Sequence, residues 1–190
     1  MRRRLVVIAF LILATGCRAE SVSDSSAYVE GPAIISRGSL ELDCHGSLRR
    51  TEIPPVDYDT ILDSVALPTS RTYPTALQTS LTGETGPTRL WAKAGLSVRS
   101  AAAVEITLPS SVSDRARIGW DIPASPTVGL STSGCDKNAE GWMSFPGGFW
   151  VSEAICLPVD ITAHSKTVRV LIGVGAPCPG QHSAPAPSDK

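Results

Sequence analysis

Apolar and polar side chains alternate with period two in three segments. Successive side chains of an extended chain point to opposite faces, so this pattern predicts half-buried strands. In residues 39–44, "SLELDC", Leu40, Leu42 and Cys44 share one face against Ser39, Glu41 and Asp43. In residues 115–122, "RARIGWDI", Ala116, Ile118, Trp120 and Ile122 oppose Arg115, Arg117 and Asp121. In residues 167–174, "TVRVLIGV", Val168, Val170, Ile172 and Val174 oppose Thr167 and Arg169.

Shorter apolar runs predict further strands at 96–99, 104–108, 149–152 and 157–161. Gly, Pro, Ser and Asp cluster between them, in "LPSSVSD", "IPASPTVG", "SGCDKN" and "FPGG", and mark turns. The segment "YDTILDSVAL" at 58–67 fits either a helix through Ile61, Leu62 and Val65 or a strand and turn. Short strands joined by such turns predict a mostly β chain, a single disulfide-stabilised β-sandwich or Greek-key-like domain over residues 36–178. Within it, the Thr-rich, weakly apolar stretch 69–88 reads as a long loop or a mobile excursion. After Cys178 the Pro- and Ser-rich residues 179–190 read as a disordered tail.

The chain begins differently. Arg2, Arg3 and Arg4 precede the apolar run "LVVIAFLIL" at 5–13. That run is too short to cross about 30 Å of hydrocarbon at about 1.5 Å per residue, but suits a signal-peptide core. Ala14-Thr15-Gly16 and then Cys17 follow. These residues resemble the lipobox of bacterial lipoproteins, with Leu13 one place earlier than the motif's usual leucine. The resemblance implies a signal peptide at 1–16, cleavage before Cys17, and diacylglycerol and palmitate on the Cys17 thiol and new N-terminus. Such acyl chains anchor a protein stably at the cell membrane, on its extracytoplasmic side. Residues 17–35 then form a polar tether.

Losing the three arginines takes the 17 basic residues to 14, against 18 acidic ones. With no basic patch, nucleic acid is not an expected partner. Besides Cys17 the chain holds Cys44, Cys135, Cys156 and Cys178. An even number in an exported chain reads as two disulfides, with three connectivities open. The expected pairing is Cys135–Cys156, stapling the segment "GWMSFPGGFWV", with Cys44–Cys178 tying the first strand to the last.

Candidate chemistry is sparse. His45, His164 and His182 have no metal-ligand spacing, so neither metal nor cofactor is expected. "GLSTSG" at 129–134 lacks the spacing of a nucleophile elbow. The carboxylates, among them Asp57, Asp59, Asp63, Glu105, Asp121, Asp136, Glu140, Glu153 and Asp160, are dispersed. Trp142, Phe145 and Trp150 are either core residues, with Gly147-Gly148 turning a hairpin, or an aromatic binding surface. Trp120 belongs in the core, in phase with Ile118.

From about residue 90 onward the chain is similar to uncharacterised exported lipoproteins of high-GC Gram-positive bacteria. The residues that carry this are "LWAKAGLSV" (90–98), "IGW" (118–120), "GC" (134–135), "GW" (141–142), "GGFWV" (147–151), "CLPV" (156–159) and "IGVGAPC" (172–178). The resemblance implies an extracytoplasmic location and no particular activity. The leading expectation is a non-catalytic domain that binds an envelope protein, peptide or glycan, or plays an accessory role there. The alternative is an envelope hydrolase whose site forms only by tertiary proximity, joining His45 or His164 to a serine and a carboxylate.

Overall fold

The computed structural model describes residues 28–29, 39–82 and 87–185. The expected signal peptide, Cys17, most of the expected tether and the end of the expected tail lie outside the described residues. In chain order the strands are β1 (Tyr28–Val29), β2 (Leu40–Glu41), β3 (Arg49–Thr51), β4 (Asp59–Ile61) and β5 (Val65–Leu67). Next come β6 (Ser80–Leu81), β7 (Leu90–Lys93), β8 (Leu96–Arg99), β9 (Val104–Thr107) and β10 (Ala116–Trp120). The last are β11 (Gly129–Thr132), β12 (Trp142–Phe145), β13 (Gly147–Val151), β14 (Ile155–Ala163) and β15 (Lys166–Val174).

These strands form three sheets, in the orders β1-β15-β14-β9-β11-β2, β3-β12-β8-β5-β4 and β10-β13-β7-β6. Buried side chains from all three meet in one apolar core. Leu96 and Val98 of β8 share an interior crevice with Val104 and Ile106 of β9 and Leu130 of β11, so the two larger sheets face each other there. The predicted alternation is plain in β15, whose Val168, Val170, Ile172 and Val174 are buried. In β10, Ala116, Ile118 and Trp120 are buried; the Trp120 indole donates to Ala94 O at 2.9 Å and meets Phe149 edge-on. The strand ends there, so Ile122, expected on the same face, is 61% exposed.

The ambiguous segment at 58–67 is a hairpin. β4 and β5 are joined by three residues, Leu62, Asp63 and Ser64, in a turn with positive φ at Leu62 and Asp63 that is closed by Ser64 N–H donating to Ile61 O. A two-residue turn, with positive φ at His164 and Ser165, joins β14 to β15. Positive φ at both central residues gives a turn whose twist matches that of the paired strands.

Several expectations are corrected. Within the expected tether, Tyr28–Val29 pairs antiparallel with Val168 and Thr167 as an edge strand. The stretch read as a long loop or mobile excursion at 69–88 is mostly irregular, but its described residues 69–82 run along the fold rather than away from it. Ala76 and Leu77 are buried, Leu77 bridges Val174, and Ser80–Leu81 pairs with β7. Its weak apolar content suffices because neighbouring backbone supplies the contacts. The tail is held against the fold as far as residue 185, where Pro185 O accepts from Gln78 Nε2 at 3.3 Å. Gln181 donates through Nε2 to Tyr73 O at 2.8 Å and accepts from Cys178 N–H, while His182 N–H donates to Pro74 O. Residues 39–44 hold a strand only at Leu40–Glu41, and Cys44 begins a 3-10 turn.

The expected disulfide pairing is also corrected, to Cys44–Cys135 and Cys156–Cys178. β2 runs parallel to β11, with Leu40 beside Leu130 and Glu41 beside Ser131. Three or four residues further along each chain, Cys44 and Cys135 meet. Cys156 of β14 sits opposite Gly173 of β15, and the chain turns back after Val174 to bring Cys178 to it. Cys135 and Cys156 do not pair, because the segment between them spans two sheets. β12 pairs with β3 and β8, whereas β13, only Pro146 later, pairs with β10 and β7. Gly147-Gly148 therefore turns no hairpin. Gly148 lies where β10 and β7 close in, and a Cβ there would collide with Ala92 O.

Candidate functional site

Five chain segments converge at one end of the sheets: the turn after β4, the residues after β8, the loop before β12, the end of β3 and the turn between β14 and β15. Between them lies a cleft of about 1120 Å³, lined by Arg50, Glu52, Asp63, Arg99, Glu140 and His164 among others. A second cavity of about 780 Å³ shares Ala101, Ala102 and His164 with it and is otherwise rich in Ser and Thr, with Glu41 and Glu105.

The register explains the placement of the charged groups. Arg99 is the last residue of β8 and sits beside Trp142 of β12, which in turn sits beside Thr51 of β3. Cross-strand partners share a face, and Leu96 and Val98 occupy the other, core-facing side of β8 or its adjoining interior. The row Arg99, Trp142, Thr51 therefore lies on the face turned away from the core. Its guanidinium carbon stands 4.9 Å from the Trp142 ring centroid, and Arg99 Nε–H donates to Asp63 O at 2.9 Å. Arg50 pairs with Asp136 at 3.3 Å, across an exposed surface.

Ser64 and His164 come together in the same cleft, with Ser64 Oγ 2.9 Å from His164 Nε2. Ser64 is 1% exposed and His164 is exposed. The contact links the β4–β5 turn to the β14–β15 turn, and so joins two sheets. The sequence named His164 as a candidate but gave no mark to single out Ser64 among many serines. The useful signal was the hairpin ending at Ser64, hidden by the helical alternative.

The proposed aromatic surface of Trp142, Phe145 and Trp150 is not formed. Phe145 is 1% exposed, sits beside Leu96 and belongs to the core. Trp142 is 2% exposed, with Arg99 over its ring. Trp150 lies on a different sheet, half-buried and tilted against Trp91 with ring centroids 6.3 Å apart. Alternation along β12 sends Trp142 and Phe145 to opposite faces, so one exposed platform cannot hold both.

The remaining histidines lie elsewhere. His45 is in the exposed 3-10 turn after β2, where its N–H donates to Asp43 Oδ1, and His182 pairs with the Thr75 region. Asp59 is a buried carboxylate that accepts from Thr69 Oγ1 at 2.8 Å and faces Arg71 at 3.6 Å. Among the described residues, no group of three or more His, Cys, Asp or Glu is placed to hold a metal ion. Among them, too, no helix is long and apolar enough to cross a membrane. No protein-family model, curated protein or solved structure matches the chain.

Proposed function

We propose that the chain is a lipid-anchored, extracytoplasmic β-sandwich-like domain with Greek-key-like connections that binds an envelope component without catalysing a reaction. The facing of β8 against β9 and β11 supports the sandwich reading. The "ATGC" segment at 14–17 supports the anchor, and the two disulfides suit an oxidising compartment.

The cleft of about 1120 Å³ carries the binding reading. It is large enough for a small ligand or a short stretch of peptide or glycan. Its walls come from five separate segments, two of them hairpin turns, rather than from one adjustable loop, which favours a preformed seat. The test has two parts. Intact mass and a Cys17→Ala variant check the anchor: acyl mass on a chain beginning at Cys17, lost in the variant, is expected, and an unacylated chain overturns it. Amide NMR of the chain with both disulfides intact, titrated with short peptides and with N-acetylglucosamine oligomers, checks the cleft. Shifts confined to residues 50–52, 99–102 and 139–141 are expected, and shifts only elsewhere overturn it.

A second reading, hydrolysis, is favoured by the 2.9 Å contact between Ser64 and His164. His164 would take the Ser64 proton as the hydroxyl attacks an acyl carbonyl. The 1% exposure of Ser64 weighs against it, because a nucleophile must reach its substrate. A fluorophosphonate probe separates the two. No adduct is expected, whereas an adduct on Ser64 that disappears in His164→Ala would favour the hydrolase.

A further inference from the structure

We propose that Arg99 is the anion seat of this cleft and that it takes the carboxylate of a singly charged ligand. The inference rests on the binding reading above and deepens it. An arginine side chain normally loses rotamer freedom when it binds, which weakens binding. Arg99 is already held by two contacts on one side of its guanidinium: Nε–H donates to Asp63 O at 2.9 Å, and the planar group lies over the Trp142 ring. Among the described residues, no carboxylate pairs with it, and its two terminal nitrogens donate to nothing. The donors left over are those that match a carboxylate.

The other charges of the cleft decide the ligand's charge. Glu52, Asp63 and Glu140 line it beside Arg50, Arg99 and His164, and Arg50 is already engaged with Asp136. A dianionic phosphate entering beside three carboxylates meets more repulsion than a monoanion does. Arg99 can neutralise one negative charge. A carboxylate therefore fits and a phosphate does not. The Trp142 ring beneath the guanidinium is 2% exposed although it lies on the face turned away from the core.

The test uses the exported chain with its disulfides intact and four probes. One is an N-acetylated glycine–alanine tripeptide with a free terminal carboxylate, and the second is its carboxamide. The third is the carboxamide carrying one glutamate side chain, and the fourth is inorganic phosphate. Binding is followed through the Arg99 side-chain Nε–H resonance and the amides of residues 50–52 and 99–102. The free acid is expected to bind about tenfold or more tightly than the carboxamide, as a charged hydrogen bond implies. The glutamate probe tells a side-chain carboxylate from a terminal one: either or both binding supports the seat.

Arg99→Lys keeps the charge but not the fork of donors, and is expected to lose most of that difference while the fold is unchanged. Equal binding of acid and carboxamide in the cleft overturns the anion seat but leaves the binding reading standing. Tighter binding of phosphate than of the free acid overturns the choice of carboxylate. No cleft shift with any probe overturns both.

Discussion

Ser64 Oγ lies 2.9 Å from His164 Nε2 although a hundred positions separate them in the chain. The contact fastens the turn of one hairpin to the turn of another on a different sheet. Removing the imidazole leaves a buried hydroxyl without its partner, so His164→Ala is expected to cost about 1–3 kcal/mol. Ser64→Ala, which removes the buried polar group itself, should cost less, and in Ser64→Ala the loss of His164 should matter little. Urea unfolding of the two single variants and the double variant measures the coupling. Additive losses would mean that the pair does not tie the turns together.

The two disulfides close loops of very different length. Cys44–Cys135 spans 91 positions and Cys156–Cys178 spans 22. Loop-closure entropy of the unfolded chain assigns them roughly 4.5 and roughly 3.5 kcal/mol. Replacing Cys44 and Cys135 together with serine is therefore expected to lower stability more than replacing Cys156 and Cys178. Peptide mapping without reduction should recover these two pairs. A recovered Cys135–Cys156 peptide would contradict the fold, since those residues flank strands of two different sheets.

Gly148 is paired on both sides, with Gly119 of β10 and Lys93 of β7. A methyl group there meets the backbone carbonyl of Ala92, which has no soft side chain to give way. Gly148→Ala should cost about 1–3 kcal/mol or more, as overpacking of a closed interior does. The urea midpoint reports it. An unchanged midpoint would show that β7 and β13 are not in register as described.

Tyr58 gives a pH signature. Burial pushes its phenol above the usual value near 10, an effect only partly offset by the Gly95 N–H that donates to its oxygen. The folded state therefore holds the phenolic proton longer than the unfolded state. Above pH 10 the folded chain binds more protons than the unfolded one, so stability falls as pH rises from there through the higher folded value. The contribution is complete below about pH 10. Tyr58→Phe should flatten this part of the stability profile. A variant that keeps the same alkaline slope would assign the effect to another group.

Strand faces were legible in the chain because they are local. In a strand, side-chain direction follows from period two alone, so Val168, Val170, Ile172 and Val174 declared their buried face without any knowledge of a partner. Ala116, Ile118 and Trp120 did the same, and that four cysteines would be joined was legible from their even number. The segment at 39–44 misled because its apolar residues alternate although the strand ends at Glu41. Cys44 then meets a partner set by the parallel course of β11.

What the tertiary structure alone decided is everything that depends on which strand lies beside which. Disulfide pairing followed from the β2–β11 register and from the change of sheet at Pro146. The burial of Trp142 under Arg99, and of Phe145 on the opposite face, followed from the placing of β12 between β3 and β8. The choice of Ser64 out of so many serines followed from two hairpin turns meeting at one end of the fold. Alternation fixes which way a side chain points, but contacts between distant parts of the chain fix what it points at. Nothing local in "YDTILDSVAL" or "TAHSKT" encodes that Ser64 and His164 would meet.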